Sequence, residues 1–144
     1  MHHLLRRAVA VGSAILGVRD PTLWDGKTCG TGVHMMVARG SSEAAGLGRV
    51  APVVYAIEDA IPGSTIDAIE YPATFADYAD SKSAAVDEFR RLIPAFADLC
   101  PDTRIVLVGF SQGAHALTDA ICGSDSAFLG AHPDLHEEYY ASHG

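Results

Sequence analysis

The chain has 144 residues, of which 49% are hydrophobic and 19% are charged, and its formal net charge is −8 at pH 7. This length and composition predict one globular domain with a buried core and exclude a disordered chain. An acidic chain without a basic stripe cannot displace counterions from phosphates, so the charge argues against nucleic acid as a partner.

The first 18 residues have the pattern of a secretion signal. Arg6 and Arg7 precede the apolar run Ala8 to Val18, which is too short to span a bilayer but fits the hydrophobic region of a signal peptide. We therefore expect a leader over residues 1–18, a secreted, extracellular protein and no stable membrane insertion. The alternative is a first strand or helix of the fold, since no A-x-A cleavage site follows.

Hydrophobic periodicity predicts that strands and helices alternate along the rest of the chain. Apolar runs bounded by glycine or proline predict strands, and apolar residues at three-to-four spacing predict helices. In chain order these are a strand at 33–40, a polar loop at 41–48, a helix at 50–61, a strand within 64–73, a helix at 85–96 kinked by Pro94, a strand at 105–108 and a helix from 114. This order predicts a three-layer α/β/α fold with a small parallel sheet and a ligand crevice at the carboxyl ends of the strands.

A serine follows the third predicted strand in the sequence GFSQG, residues 109–113. Gly109 and Gly113 have no side chains, so the strand and the helix can approach closely and Ser111 can adopt a strained backbone with an exposed hydroxyl. This is the geometry of a nucleophile elbow. The sequence therefore predicts Ser111 as a nucleophile.

The three cysteines, Cys29, Cys100 and Cys122, suit one disulfide and one leftover thiol in an oxidising compartment. Cys29 precedes the first predicted strand and Cys100 precedes the third. If these strands are neighbours, their amino-terminal ends could be bridged. Cys122 then lacks a partner.

Four landmarks, taken in order, carry a family resemblance. They are Cys29, ARGSSE at 38–43, YPAT at 71–74 and CPDTRIVLVGFSQGA at 100–114. In these landmarks the chain resembles the cutinase family, which comprises small secreted α/β-hydrolases, including cutinases and related acetylxylan esterases. The resemblance covers roughly residues 29–122 and implies a cutinase-like α/β-hydrolase domain over residues 29–144.

The resemblance also implies roles for individual residues. Ser111 would be the nucleophile of a serine esterase, and Ser41 with the backbone N–H of Gln112 would form the oxyanion hole. The family's disulfide would link Cys29 and Cys100. The substrates implied are carboxylic esters, as in cutin-like polyester, acetylated xylan or short acyl esters, and we expect a monomer without a cofactor or a metal.

The stretch after the nucleophile departs from the family pattern. Family members have further strands between the serine and the acid, whereas 22 residues follow Cys122 here, so we expect a domain with an incomplete sheet, shortened or internally deleted after about residue 122. The resemblance, with its chain order Ser, Asp, His, makes Asp125 the acid and His136 the base. The alternative base is His132, with Asp134 as an alternative acid.

Two functions remain open at this point. The first is a secreted serine esterase with a complete triad. The second is a catalytically impaired relative, which keeps the serine corner but cannot assemble the triad because Asp125 and His136 are ordinary surface residues. An imidazole within hydrogen-bond reach of the Ser111 hydroxyl would favour the first function.

The other histidines have simpler interpretations. A metal pair at His132 and His136 is disfavoured because Pro133 interrupts a regular helix and no third ligand is evident. We interpret His34 as a strand-edge residue and His115 as a helix-face residue.

Overall fold

The computed structural model describes residues 23–126 and 129–135. Within these ranges the strands are β1 (Val33–Ala38), β2 (Thr65–Ala68) and β3 (Arg104–Gly109). The helices are α1 (Ala51–Ala60), which follows a 3-10 turn at Gly48–Val50, α2 (Tyr78–Leu99) and α3 (Gln112–Cys122). The expected leader and His136 lie outside the described residues. No helix of the described ranges combines the length and apolar character needed to cross a membrane.

The central strand of the sheet is β1, with β2 and β3 as its parallel neighbours. Met35 of β1 is in register with Ile66 of β2 and with Val106 of β3. All residues of β1 are buried, whereas those of β3 are exposed or half-buried. The predicted parallel sheet is confirmed, and the continuous apolar run of β1 is typical of a parallel strand covered on both faces.

Helices cover both faces of the sheet. Alternate side chains of β1 point to opposite faces because a strand has a period of two residues. On one face Val33, Met35 and Val37 pack with α1 and β2, and on the other Met36 and Ala38 pack with α2 and α3. The predicted three-layer arrangement is therefore confirmed.

Two elements differ by several residues from their predicted bounds, and the others by one or two. The strand predicted within 64–73 ends at Ala68, because the chain beyond it turns Tyr71 toward Arg39. Helix α2 begins at Tyr78, well before residue 85, and continues through Pro94 to Leu99. The early turns of α2 carry buried polar side chains whose partners lie on α3, so apolar periodicity does not reveal them.

A disulfide joins the segments that precede β1 and β3. Cys29 and Cys100 have their Cα atoms 5.6 Å apart, which confirms the predicted pairing and the predicted neighbourhood of the two strands. Cys122, at the end of α3, is an exposed free thiol. A disulfide of this kind is typical of proteins from oxidising compartments.

His34 lies in the core, so its predicted position at a strand edge is wrong. Its side chain is fully buried on the central strand, and its ring stacks on Phe96 with the centroids 3.8 Å apart. The ring Nδ1 is 2.9 Å from Thr65 Oγ1, whereas Nε2 has no hydrogen-bond partner among the described residues. Burial lowers the pKa of His34 to about 4, because the charged imidazolium is poorly solvated there.

Candidate active site

Ser111 occupies the corner between β3 and α3. It lies between Gly109, where the strand ends, and Gln112, where the helix begins, and its backbone has φ 51° and ψ −117°. This conformation is strained for a residue with a side chain. A Cβ atom on Gly113 would lie 2.3 Å from the Ala38 carbonyl oxygen, so only glycine permits this close approach. The predicted position of Ser111 at the carboxyl end of a strand is confirmed.

Two hydrogen-bond donors that lack a described partner follow the ends of neighbouring strands. The backbone N–H of Gln112 begins α3 and has no partner among the described residues. The hydroxyl of Ser41, in the loop after β1, is buried and likewise unpartnered within these ranges. The Phe110 N–H donates to the Ala38 carbonyl at 3.0 Å and joins the two segments. Because the amino-terminal end of a helix favours negative charge, this arrangement suits an anionic oxygen.

The side chain of Gln112 holds the serine corner, residues 109–113, against α2. Its Nε2 donates to the Thr74 carbonyl at 3.1 Å and to the Tyr78 carbonyl at 3.3 Å, and its Oε1 accepts the Ser81 hydroxyl at 3.1 Å. The residue is fully buried. Sequence analysis considered only its backbone N–H and missed this second role. A glutamine at the start of a largely apolar helix indicates a buried amide that needs hydrogen-bond partners.

The loop after β1 is anchored to the segment after β2. The buried Arg39 guanidinium donates to the Ile69 carbonyl at 3.4 Å and to the Tyr71 carbonyl at 2.5 Å. The Tyr71 hydroxyl donates back to the Arg39 carbonyl, and burial raises the pKa of Tyr71 to about 12. The Ser42 N–H donates to the Ala73 carbonyl at 2.7 Å. The sequence landmarks ARGSSE and YPAT are therefore in direct contact.

The alternative base, His132, lies against α2. Its Nε2 is 3.3 Å from Ser83 Oγ, and its backbone pairs with Ser124 in an isolated antiparallel bridge. Burial, followed by the nearby Lys82 charge, lowers the pKa of His132. Within residues 23–126 and 129–135, no imidazole is hydrogen-bonded to the Ser111 hydroxyl.

The candidate acid is described, but the candidate base is not. Asp125 is exposed and lines, with His132, Asp134 and Cys122, a cavity of about 350 Å³. His136 lies outside the described residues, so the roles of Asp125 and His136 stay predictions. The described part of the chain contains no cluster of three His, Cys, Asp or Glu residues that could hold a metal ion.

Another polar cluster lies one helical turn beyond Ser111, and sequence analysis missed it. The Tyr78 hydroxyl is 3.0 Å from His115 Nδ1, and His115 Nε2 is 3.6 Å from an Asp119 carboxylate oxygen. Asp119 forms a buried ion pair with Lys82, whose side chain is fully buried. Both ring nitrogens of His115 thus face partners other than Ser111. The predicted helix-face position of His115 on α3 is confirmed.

The fold and the serine corner define the class of protein. A parallel sheet covered by helices, with a strained serine between a strand and the following helix, is the arrangement of the α/β-hydrolases.

The comparisons with known proteins specify the family within that class. The sequence model of the family described as Cutinase matches residues 29–141, so the chain belongs to the cutinase family. It is 31% identical over 130 residues to acetylxylan esterase 2 of Talaromyces purpureogenus, covering 85% of this chain and 55% of that protein. It is 36% identical over 98 residues to cutinase 11 of Verticillium dahliae, covering 63% of this chain and 33% of that protein.

The solved structures agree with this assignment. The catalytic core domain of acetyl xylan esterase from Trichoderma reesei superposes with a TM-score of 0.68 at 35% identity, covering 72% of this chain and 53% of that structure. The chain therefore spans about half the length of this structure and of the Talaromyces relative.

Proposed function

We propose that this chain is a serine-type carboxylic ester hydrolase with Ser111 as the nucleophile. The observation that carries the proposal is the strained Ser111 corner at the start of α3, near which the Gln112 N–H and the buried Ser41 hydroxyl have no partner in the described part of the chain. Membership of the cutinase family supports the same reaction class, since the relatives are named esterases and cutinases.

In the proposed reaction, Ser111 Oγ attacks the carbonyl carbon of the ester. The π electrons of the carbonyl move to its oxygen, and this oxyanion accepts hydrogen bonds from the Gln112 N–H and the Ser41 hydroxyl. The serine proton passes to a base and then to the leaving alcohol as the C–O bond breaks, which leaves an acyl-enzyme that water hydrolyses by the same steps. Each preorganised oxyanion donor stabilises the transition state by about 3 kcal/mol.

We assign the base to His136 and the acid that orients it to Asp125, because α/β-hydrolases place these groups in the order Ser, Asp, His along the chain. A second candidate function is a relative that keeps the nucleophile corner without a working triad. This second function is favoured by the lack of an imidazole hydrogen-bonded to the Ser111 hydroxyl within residues 23–126 and 129–135, where the alternative base His132 instead contacts Ser83 of α2.

The proposed substrates are esters of cutin-like polyester, acetylated xylan or short acyl chains. The relatives are named acetylxylan esterase and cutinase, which supports the first two classes. We also propose that the protein is secreted, since the Cys29–Cys100 disulfide suits an oxidising compartment, and that it acts as a monomer.

The test is hydrolysis of p-nitrophenyl acetate by the wild type and by single alanine variants of Ser111, His136 and His132, with Thr118→Ala as a matched control. Thr118 is exposed on α3, and its hydroxyl donates to the Ala114 carbonyl of the same helix. We expect Ser111→Ala to abolish turnover. With a complete triad, His136→Ala is nearly as damaging, because triad members act as a unit and each loss costs about 10⁴-fold or more.

Three outcomes decide between the functions. Wild-type hydrolysis no faster than that of Ser111→Ala overturns the esterase proposal. Weak turnover that needs Ser111 but is insensitive to His136→Ala supports the relative without a triad. A loss on His132→Ala equal to the loss on Ser111→Ala reassigns the base to His132.

A further inference from the structure

Glu43 turns its carboxylate back onto the loop that carries Ser41, residues 40–49. Its Oε2 accepts the Gly40 N–H at 2.6 Å, and its Oε1 accepts the Arg49 N–H at 2.9 Å. The side chain is only 14% exposed. One carboxylate therefore fixes both ends of the 40–49 loop, and its first contact is the residue immediately before Ser41.

The loop that Glu43 holds packs against the serine corner, residues 109–113. A Cβ atom on Gly40 would lie 2.7 Å from Phe110 Cδ1, so the loop and the corner are in close contact. The Arg49 Nε is 3.5 Å from Glu43 Oε1, and the Arg49 guanidinium lies 5.7 Å from the centroid of the Phe110 ring. Because Phe110 directly precedes Ser111, the contact between Gly40 and Phe110 joins the start of the 40–49 loop to the serine corner, whereas the Arg49 side chain is mostly exposed at its rim.

The contacts require a carboxylate rather than any polar side chain. Two backbone N–H groups face Glu43, and a carboxylate offers an acceptor oxygen to each. A glutamine has one carbonyl oxygen and an NH₂ group, so one of the two donors would lose its acceptor and the loop would have to shift. A Cβ atom on Gly48 would lie 2.5 Å from Glu43 Oε2, so the glycine leaves room for this carboxylate.

We propose that Glu43 is a positioning residue, which fixes the Ser41 hydroxyl relative to Ser111. The proposal rests on the proposed esterase function and acts through Ser41, not through contact with the ester. A misplacement of about 1 Å can cost about 100-fold in rate. Because an oxyanion donor stabilises the transition state more than the bound ester, the loss should fall on kcat rather than on KM.

The test compares Glu43→Gln with Arg49→Gln on p-nitrophenyl acetate. Arg49→Gln removes the ion pair but keeps the backbone N–H that Glu43 accepts. We expect Glu43→Gln to lower kcat by about tenfold to 100-fold, with KM within about twofold of the wild type, and Arg49→Gln to change kcat by less than about threefold. A Glu43→Gln variant with wild-type kcat, or with a loss confined to KM, overturns the proposal.

A second measurement separates this proposal from the proposed function. A fluorophosphonate reagent forms a bond from its phosphorus to Ser111 Oγ with loss of fluoride, and it can be followed by intact mass without ester turnover. If the wild type neither hydrolyses the ester nor labels at Ser111, the esterase proposal fails and the role of Glu43 falls with it. If the wild type labels and Glu43→Gln labels at the same rate, only the role of Glu43 is overturned.

A second variant covers the case in which Glu43→Gln does not fold. Glu43→Asp keeps the carboxylate but shortens the side chain by one methylene, so that the carboxylate can no longer reach both the Gly40 and the Arg49 N–H groups in the present loop geometry. We expect the same selective loss of kcat and the same slower labelling. Wild-type kcat in a folded Glu43→Asp variant counts against the proposal.

Discussion

Acidification should destabilise this protein through His34. The imidazole is fully buried against Phe96, and its Nε2 has no acceptor among the described residues, so a proton added there would bring an unpaired charge into the core. Burial holds the pKa of His34 at about 4, against 6.5 for an unperturbed histidine. Between these two values the unfolded chain binds a proton that the folded chain does not bind.

The sign and size of the effect follow from this difference. The contribution of His34 to the free energy of unfolding has its full value above pH 6.5 and decreases as the pH drops toward 4, because the unfolded state binds more protons within this window. Below pH 4 this contribution changes no further. A pKa depressed from 6.5 to about 4 corresponds to roughly 3 kcal/mol in total, of which about 2 kcal/mol is lost by pH 5.

The assay is urea unfolding of the wild type and His34→Phe between pH 7 and pH 4.5. Phenylalanine keeps an aromatic ring against Phe96 but does not titrate, and other titrating groups, such as Asp67, are common to both proteins. Trp24, whose ring centroid is 5.1 Å from that of His34, reports unfolding by fluorescence. If the difference in free energy of unfolding between the two proteins stays constant across this range, the reasoning is refuted.

Three further predictions concern stability. Replacing Cys29 and Cys100 by alanine should lower the free energy of unfolding by about 4 kcal/mol, because their disulfide spans 71 residues; an unchanged urea midpoint contradicts this. Asp119→Ala should cost about 3–5 kcal/mol because it leaves the Lys82 ammonium buried without its partner, and adding Lys82→Met should recover most of the loss; a neutral single variant argues against the ion pair. Gln112→Ala should cost about 2–4 kcal/mol in thermal or urea unfolding, since it removes the three hydrogen bonds of a fully buried side chain; a loss below about 0.5 kcal/mol speaks against that network.

Much of the architecture could be predicted from local sequence. The apolar runs of β1 and β3 are bounded by glycine, and their spacing from the intervening helices predicts parallel strands. The GFSQG sequence predicts a sharp corner because glycines on both sides of Ser111 permit a close approach. These features depend on residues near one another in the chain, so the pattern alone identifies them.

The polar contacts of the site could not be predicted in this way. Lys82 reads as a solvent-facing residue of an amphipathic helix, but its partner lies 37 positions away on α3. The acceptors of Gln112 lie 34 and 38 positions away, and local periodicity does not indicate distant partners. The prediction that His34 lies at a strand edge is wrong because the apolar pattern of a strand does not indicate whether that strand is central or at an edge of the sheet. The order of the strands in the sheet decides this.

The candidate site divides into two parts with different structural support. The serine corner and the 40–49 loop are held by contacts made before residue 123: the bonds of Gln112 to the start of α2, of Arg39 to the segment after β2, and of Glu43 to its own loop. The proposed acid and base follow α3, where Asp125 is exposed. Because phosphonylation of a serine depends on its own geometry and on the oxyanion donors as well as on a base, the reactivity of Ser111 and the efficiency of ester turnover are separable properties of this chain.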